Sequence, residues 1–396
     1  MNASVAWLSA PPVSMRNRED YMENQFVYEN FITWMRRAWI GLPDSEALLP
    51  AIKARYSVEE AALLTGIPFS PKSIRELAAQ KEMDPAELAD RLDALAQKGL
   101  VFRMKRGEEL FYALNDGFFV FLRGSFWPGR TDADSRRVAP RVNTYFHTGL
   151  FDPYQGVQTR GLRTIPVETS IDVNAGKTIH PYEDVAKVLE EQSEFCVTVC
   201  PCRHRKNLDP ASPDCKYSTE NCLHFGPLAR YIVENGMGRS ITMQEARDIL
   251  KRAAEEGLVH GVSNWLKGVD TICNCCKCCC MWFESFHVLK HDKSMDASNF
   301  ILSANPETCT ACGLCVQRCP MEALSLQESP QAKNKKGKMS VLQTDRCIGC
   351  GVCVYKCPSR SLTLIHRGTV TDPPQDPRDY ANRFLAERSA HTEGAG

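Results

Sequence analysis

The first 195 residues contain no cysteine, although the chain of 396 holds 19. Any chemistry that needs thiolates therefore belongs to the second half. An excess of charge of either sign is missing too: 48 Lys and Arg stand against 48 Asp and Glu. No global field exists to draw in nucleic acid or an anionic membrane, and such a contact would have to be local. Long apolar runs are also absent. Crossing a bilayer takes roughly 18 to 20 apolar residues, and the best candidate, FFVFL at 118–122, is interrupted at once. The start MNASVAWLSAPPVSMRNRED has no basic stretch before its short apolar patch, so neither a span nor a secretion signal is expected. No Gly-x-Gly-x-x-Gly occurs, and NAGKT at 174–178 has Ile171 where a phosphate-binding loop needs its first glycine. A nucleotide or flavin site has no support.

What is present in the N-terminal half is helix punctuation. Ser57-Val-Glu-Glu60 and Ser73-Ile-Arg-Glu76 have capping-box spacing, and Asp84-Pro85-Ala-Glu87 adds proline at the first helical position. The third helix carries Leu88, Leu92 and Leu95 on one face and should stop at Gly99. LVFRMKRGEELFYAL then reads as a hairpin turning at Arg106-Gly107. Three helices and a two-stranded wing predict a winged helix over 45–125, after an extension at 1–44. The recognition-helix stretch carries Asp84, Glu87, Asp90 and Asp93 against Arg91 and Lys98, the wrong sign for a phosphate backbone. Protein docking or scaffolding is expected of it rather than DNA binding. A partial echo links ELADRLDALAQKGLV from Glu87 to EARDILKRAAEEGLV from Glu245, where Thr242-Met-Gln-Glu245 supplies another capping box.

The cysteines fall in three groups: five between Cys196 and Cys222, six between Cys273 and Cys280, and eight between Cys309 and Cys357. An odd total, adjacent thiols and no export signal argue against a disulfide framework and for metal ligands kept reduced in a cytosol. From residue 309 the spacing is specific. Cys309, Cys312, Cys315 and Cys319-Pro320 form C-x2-C-x2-C-x3-C-P, and Cys347, Cys350, Cys353 and Cys357-Pro358 repeat it. In such a run three thiolates wrap three corners of a [4Fe-4S] cube and the fourth ligates the cube of the other copy. Cys309, Cys312, Cys315 and Cys357 should hold one cluster; Cys347, Cys350, Cys353 and Cys319 the other. Gly313 and Gly351 leave room for backbone amides near sulfur, and ALSL and SLTL read as closing strands.

This stretch, 300–367 with motifs at 300–329 and 338–367, resembles the bacterial-type dicluster ferredoxins. The resemblance implies a pseudo-twofold pair of strand-loop-helix-strand units carrying two [4Fe-4S] clusters. It departs in the lysine-rich insert QAKNKKGKMS between the halves, which leaves the ligands alone and bears on partner docking.

The remaining cysteines have no template. Cys273, Cys276 and Cys279 repeat the C-x2-C-x2-C triple, and Cys275 with Cys278 forms an offset C-x2-C. The expected partition puts one cluster on the triple plus a remote cysteine, and a second centre on Cys200, Cys202, Cys215 and Cys222. One or two further iron-sulfur clusters are expected here; zinc, with His204 or His224 completing a site, or a metallothionein-like zinc or copper store, stays open. Arg203-His204-Arg205-Lys206 reads as a solvated basic surface, or as a patch for an acidic redox partner or anionic substrate. The whole arrangement is similar to multidomain iron-sulfur proteins of anaerobic bacteria and archaea.

The expectation is thus an α+β chain: winged helix at 45–125, linker at 126–164, cysteine-rich mixed domain at 165–290, ferredoxin domain at 300–367, and a docking or loosely attached tail at 368–396. Its function would be cytoplasmic, low-potential electron transfer between redox protein partners, with no nucleic acid and no membrane span. A reductase with its active centre in the middle domain and a redox-sensing regulator are the alternatives. Spacing identifies no catalytic residue.

Overall fold

A helix at Met15–Met35 opens the computed structural model, which describes residues 15–171, 180–368 and 370–394. NAGKT at 174–178 lies outside them. Tyr28, Phe31, Ile32 and Met35 recur at the spacing of one helical face and are buried against the helix Val58–Leu64. The stretch 1–44 is therefore no simple extension, since its described part supplies core.

Helices Leu48–Arg55, Val58–Leu64, Ile74–Lys81 and Pro85–Gln97 come next, then the hairpin Val101–Arg106 and Glu109–Leu114. Both capping boxes form: Ser57 accepts from Glu60 N and Ser73 from Glu76 N, with each glutamate reaching back. Asp84 caps the fourth of these helices, and Gly99 ends it at φ +72°. The hairpin turns through Gly107 at φ +59°, and the two-residue strand Lys72–Ser73 pairs with its second arm. Asp93 is engaged locally, accepting from Arg103 Nε at 2.8 Å and Tyr112 Oη at 2.5 Å.

The hairpin is not free. Tyr231, on the helix Gly226–Glu234, donates its buried hydroxyl to Val101 O at 2.8 Å and sets its ring 4.6 Å from Phe102, while Arg103 reaches Glu234 at 3.4 Å. Nor is 126–164 a linker. It forms the helix Ala133–Tyr145 and buries Val138, Val142, Phe146, Phe151 and Tyr154.

The middle of the chain builds a six-stranded antiparallel sheet in the order Leu162–Thr164, Val259–Ser263, Thr271–Cys275, Glu220–Phe225, Phe195–Val199, Arg239–Ser240. Val188, Leu189, Val197, Leu223, Ile249, Val262 and Ile272 form a core here. The helix Met243–Glu256 is capped by Thr242, ends at Gly257 with φ +91°, and packs on the sheet. Its likeness to the helix at 85–97 is one of punctuation, not of a repeated module.

Beyond it, Phe300–Ala304 pairs with Leu362–His366, and Leu324–Glu328 with Lys338–Leu342, flanking short helices at Leu314–Arg318 and Val352–Tyr355. The final helix, Pro377–Gly394, is docked. Phe384 is fully buried, its ring 5.3 Å from Trp39, and Glu387 accepts from the amides of Gln158 and Thr159 at 2.8 Å. Among the described residues no helix is long and apolar enough to cross a membrane.

One close contact ties the hairpin module to the segment C-terminal to it. After the hairpin comes a π-helical turn, Phe119–Gly124, and Gly124 lies directly against Gly99. A Cβ on Gly124 would stand 2.7 Å from Gly99 O and 3.0 Å from Gly99 Cα. Backbone cannot retreat as a side chain can. Gly124→Ala should therefore lower the unfolding free energy by roughly 1 to 3 kcal/mol, the usual cost of overpacking, read as a lower denaturation midpoint; an unchanged midpoint would refute the contact.

Candidate metal centres

The structure brings the eight C-terminal cysteines together in two sets of four. Cys309, Cys312, Cys315 and Cys357 line one small cavity, and Cys319, Cys347, Cys350 and Cys353 line another. The crossing arises because each fourth cysteine comes after a short helix and is delivered to the opposite loop. The loops share a backbone: Ala311 and Gly349 have φ +50° and +68°, Gly313 and Gly351 +84° and +75°.

The two sets differ in surroundings. Cys312 is exposed, and hydroxyls surround its set, with Ser340 3.4 Å from Cys315 Sγ and Ser361 3.5 Å from Cys357 Sγ. Burial pushes the Cys357 thiol up, but the Ser361 and Ser359 hydroxyls outweigh it and leave it below its ordinary value. The lysine-rich insert folds over this loop, Asn334 donating to Cys309 O at 2.8 Å and Lys336 to Ala311 O at 3.0 Å. The second set faces inward. Val167 N donates to Cys350 O at 3.1 Å, Ser170 Oγ to Gly351 O at 3.0 Å, and Ser298 Oγ to Gly349 O at 2.9 Å. Arg318 spans from Val352 O to Ala254 O. Burial raises Cys350 to about 12 and raises Cys353 well above its ordinary value.

The middle cysteines divide differently from the expected partition. Cys215, Cys276, Cys278 and Cys279 form one group, every Sγ within 4.8 Å of the others. Cys215 lies 4.0 Å from Cys276 and 3.6 Å from Cys278, and Cys278 lies 3.6 Å from Cys279. Four arms of about 2.3 Å around one metal ion put sulfurs about 3.8 Å apart. The cysteines of a cube each sit on a separate iron and lie further apart, on the order of 6 Å. The group fits a single tetrahedral ion, not a cube. Among the described residues no other set of Cys, His, Asp or Glu is so compact.

Cys200, Cys202, Cys222, Cys273, Cys275 and Cys280 instead line a large cavity, which Cys276 also touches. Strand geometry explains the sorting. Cys273 and Cys275 are two apart on the strand Thr271–Cys275 and share a face, whereas Cys276 to Cys279 run through the turn after it. Cys200 and Cys280 each precede a short helix, Pro201–Asn207 and Met281–His287. The triple Cys273, Cys276, Cys279 is thus split, and Cys215 is separated from Cys200, Cys202 and Cys222. Crowded thiols share protons: hydrogen bonds with Cys222 and Cys275 hold Cys273 well below its ordinary value, and burial at Cys280 is outweighed by Cys202 and Cys275, leaving it at about 6. Cys196 stands apart in the core, its thiol pushed up to about 12 by burial.

Neither histidine joins the thiols. His204 Nε2 bonds Arg130 O at 2.7 Å, and the His224 nitrogens bond Thr198 and Thr271 hydroxyls at 3.2 and 3.1 Å. The run Arg203–Lys206 is not surface at all, since all four residues are buried. Arg203 donates to Ser218 O, Asn221 Oδ1 and Asn274 O at 2.5–2.8 Å. Arg205 donates to Glu284 Oε2 at 2.6 Å and Lys206 to Glu284 Oε1 at 2.5 Å; His147 also bonds that carboxylate, at 2.7 Å. Both readings of a basic surface are corrected by this internal knot. Spacing also gave no hint of the cavity's other walls, among them Trp39, Phe119, Arg123, Trp127, Trp282 and Tyr380, because they come from distant segments.

Residues 308–361 match the family model of the 4Fe-4S dicluster domain, a span that includes all eight C-terminal cysteines. No curated protein and no solved structure matches the chain. The chain carries a 4Fe-4S-binding domain near its C-terminus.

Burial would raise the Glu284 carboxyl, but His147, Arg205 and Lys206 outweigh it and hold it down at about 2, against an ordinary 4.5. A depressed carboxyl contributes stability that is fully present above its unfolded value and lost as pH falls through the folded one. Glu284→Gln should cost about 3 kcal/mol, constant from pH 6 to 8 and shrinking only below about 4.5. Denaturant unfolding of both proteins across that range checks it; a cost that grows with acidity would contradict the sign.

Proposed function

We propose that this chain is an iron-sulfur electron-transfer protein whose thiol groups form a series from surface to interior. The observation that carries the reading is the order of the groups: Cys312 is exposed, the inner ferredoxin set is hydrogen-bonded to the turn Glu168–Ser170 that follows the first strand of the middle sheet, and Cys222, Cys273 and Cys275 of the cavity wall lie on strands of that sheet. Cys309, Cys312, Cys315 and Cys357 would hold one [4Fe-4S] cluster, and Cys319, Cys347, Cys350 and Cys353 the other. Bound clusters supply one-electron chemistry at potentials tuned by hydrogen bonds, charge and exposure. The chain's part is to place them and to set those surroundings. Serine hydroxyls favour a higher potential for the outer set, and burial among Leu302, Leu324, Leu342 and Leu364 a lower one for the inner. Redox protein partners would dock at the exposed Cys312 face beside the lysine-rich insert.

The compact group at Cys215, Cys276, Cys278 and Cys279 would hold zinc, a closed structural site with four thiolates. A further cluster would draw its ligands from Cys200, Cys202, Cys222, Cys273, Cys275 and Cys280. The N-terminal module is a winged helix used as scaffold: its hairpin is covered by Tyr231 and its third helix is acidic, so no nucleic acid partner is assigned. The large cavity beside the six thiols favours a second reading, a reductase with its centre there.

Protein purified without oxygen should contain more than about eight iron and eight sulfide per chain, the content of two cubes, and one zinc. Cys357→Ala should abolish the same reduced EPR signal as Cys309→Ala, and Cys319→Ala the same one as Cys347→Ala. Cys215→Ser should release zinc and leave iron unchanged. A colourless, sulfide-free product would end the reading, and signals that pair Cys319 with Cys309 would overturn the crossed ligand sets.

A further inference from the structure

The π-helical turn Phe119–Gly124 carries Arg123 into the large cavity. Such turns concentrate at functional sites because they re-aim side chains within an otherwise regular helix. The guanidinium carbon of Arg123 lies 5.5 Å from the Trp127 ring centroid and 5.9 Å from that of Phe118. Ring contacts engage the faces of a guanidinium; its five N–H donors point outward in its plane. Among the described residues no carboxylate or carbonyl takes them.

Asp116 also lines the cavity, within Coulombic reach of Arg123. Asp116 accepts the Phe119 amide at 2.8 Å and lies beside the Trp39 indole, and burial raises its carboxyl above the ordinary value. Arg123 thus faces the space with unaccepted hydrogen-bond donors, its charge within Coulombic reach of Asp116, Cys222 and Cys273.

Size and walls narrow the ligand further. The cavity measures about 180 Å³, against about 20 and 10 Å³ within the two ferredoxin sets. Thiols that close on a metal cluster thus enclose little free space in this chain, and most of the large cavity exceeds that need. An apolar cavity of about 150 Å³ takes a benzene ring. Trp39, Phe119, Trp127, Tyr154, Trp282 and Tyr380 line the large cavity, aromatic walls suited to such a ring.

We propose that this cavity is a small-molecule site for a planar carboxylate of about one ring, its carboxylate forked by Arg123 and its ring held among the aromatic walls above Cys222 and Cys273. The planar guanidinium fork matches a carboxylate in two parallel hydrogen bonds, which an ammonium cannot do. Binding stands on the cavity alone; its redox meaning rests on the reductase reading.

The test is calorimetric titration of the anaerobically purified full chain with benzoate and with benzamide, which has the same ring without the charge. Benzoate should bind saturably at one site and at least tenfold more tightly than benzamide. Arg123→Met should reduce benzoate to the level of benzamide, with Arg123→Lys between. No saturable benzoate binding, equal affinity for the two compounds, or full benzoate affinity in Arg123→Met overturns the proposal. If Arg123→Met does not fold, the comparison of the two compounds on the unaltered chain decides. Benzoate should also perturb the reduced EPR spectrum; tight binding with an unchanged spectrum keeps the site and removes its link to the redox centre.

Discussion

The buried carboxylate of Glu284 is the point on which the cysteine-rich centre depends. Three groups from two other segments converge on it: Arg205 and Lys206 from the helix after Cys200, and His147 from the segment just after the helix Ala133–Tyr145. Glu284 itself lies four residues beyond Cys280. One carboxylate thus fixes the separation of the two short helices whose first residues present Cys200, Cys202 and Cys280 to the cavity. Fully buried cations are costly unless paired, and removing their partner leaves them uncompensated. The same knot clamps the N-terminal half to the middle sheet through Arg205, which also donates to Asn143 Oδ1 at 2.6 Å and stacks 4.7 Å from the Phe146 ring.

Around this anchor, secondary structure sorts thiols that are adjacent in sequence. The strand Thr271–Cys275 turns Cys273 and Cys275 to one face and the Asn274 side chain, which bonds His260, to the other, while the Asn274 carbonyl accepts from Arg203. The turn after it bunches Cys276, Cys278 and Cys279 with Cys215, and the start of the next helix returns Cys280 to the cavity. Arg203 lies beside Cys200, Cys275 and Cys276, so its charge serves both groups at once.

Local signals were legible and distant ones were not. Ser57, Ser73, Asp84 and Thr242 cap helices where their spacing places them, because a cap is decided within four residues. The two ferredoxin repeats are equally local, and the structure groups their cysteines as the spacing implies. The stripe Tyr28, Phe31, Ile32, Met35 was readable as a helical face but sat in a stretch without cysteine or caps to draw notice. Burial of Arg203 to Lys206 could not be read from composition, because the balancing carboxylate is 79 residues from Arg205. The thiol partition failed for a related reason: C-x2-C spacing is a loop motif, and Cys273 and Cys275 lie on a strand.

If the chain carries electrons as proposed, the hydrogen bonds from Val167, Ser170 and Ser298 into the inner ferredoxin loop have a kinetic meaning. A tethered carrier that swings between donor and acceptor is limited by how fast its linker diffuses, and solvent viscosity slows it. Here the loop itself is stitched to the segment after the strand Leu162–Thr164 and to Ser298, and Gly349 and Gly351 have no space for even one added carbon against Phe300 O and Ser170. With no hinge, traffic across that boundary would be governed by a fixed gap in space, indifferent to viscosity and sensitive to every tenth of an ångström.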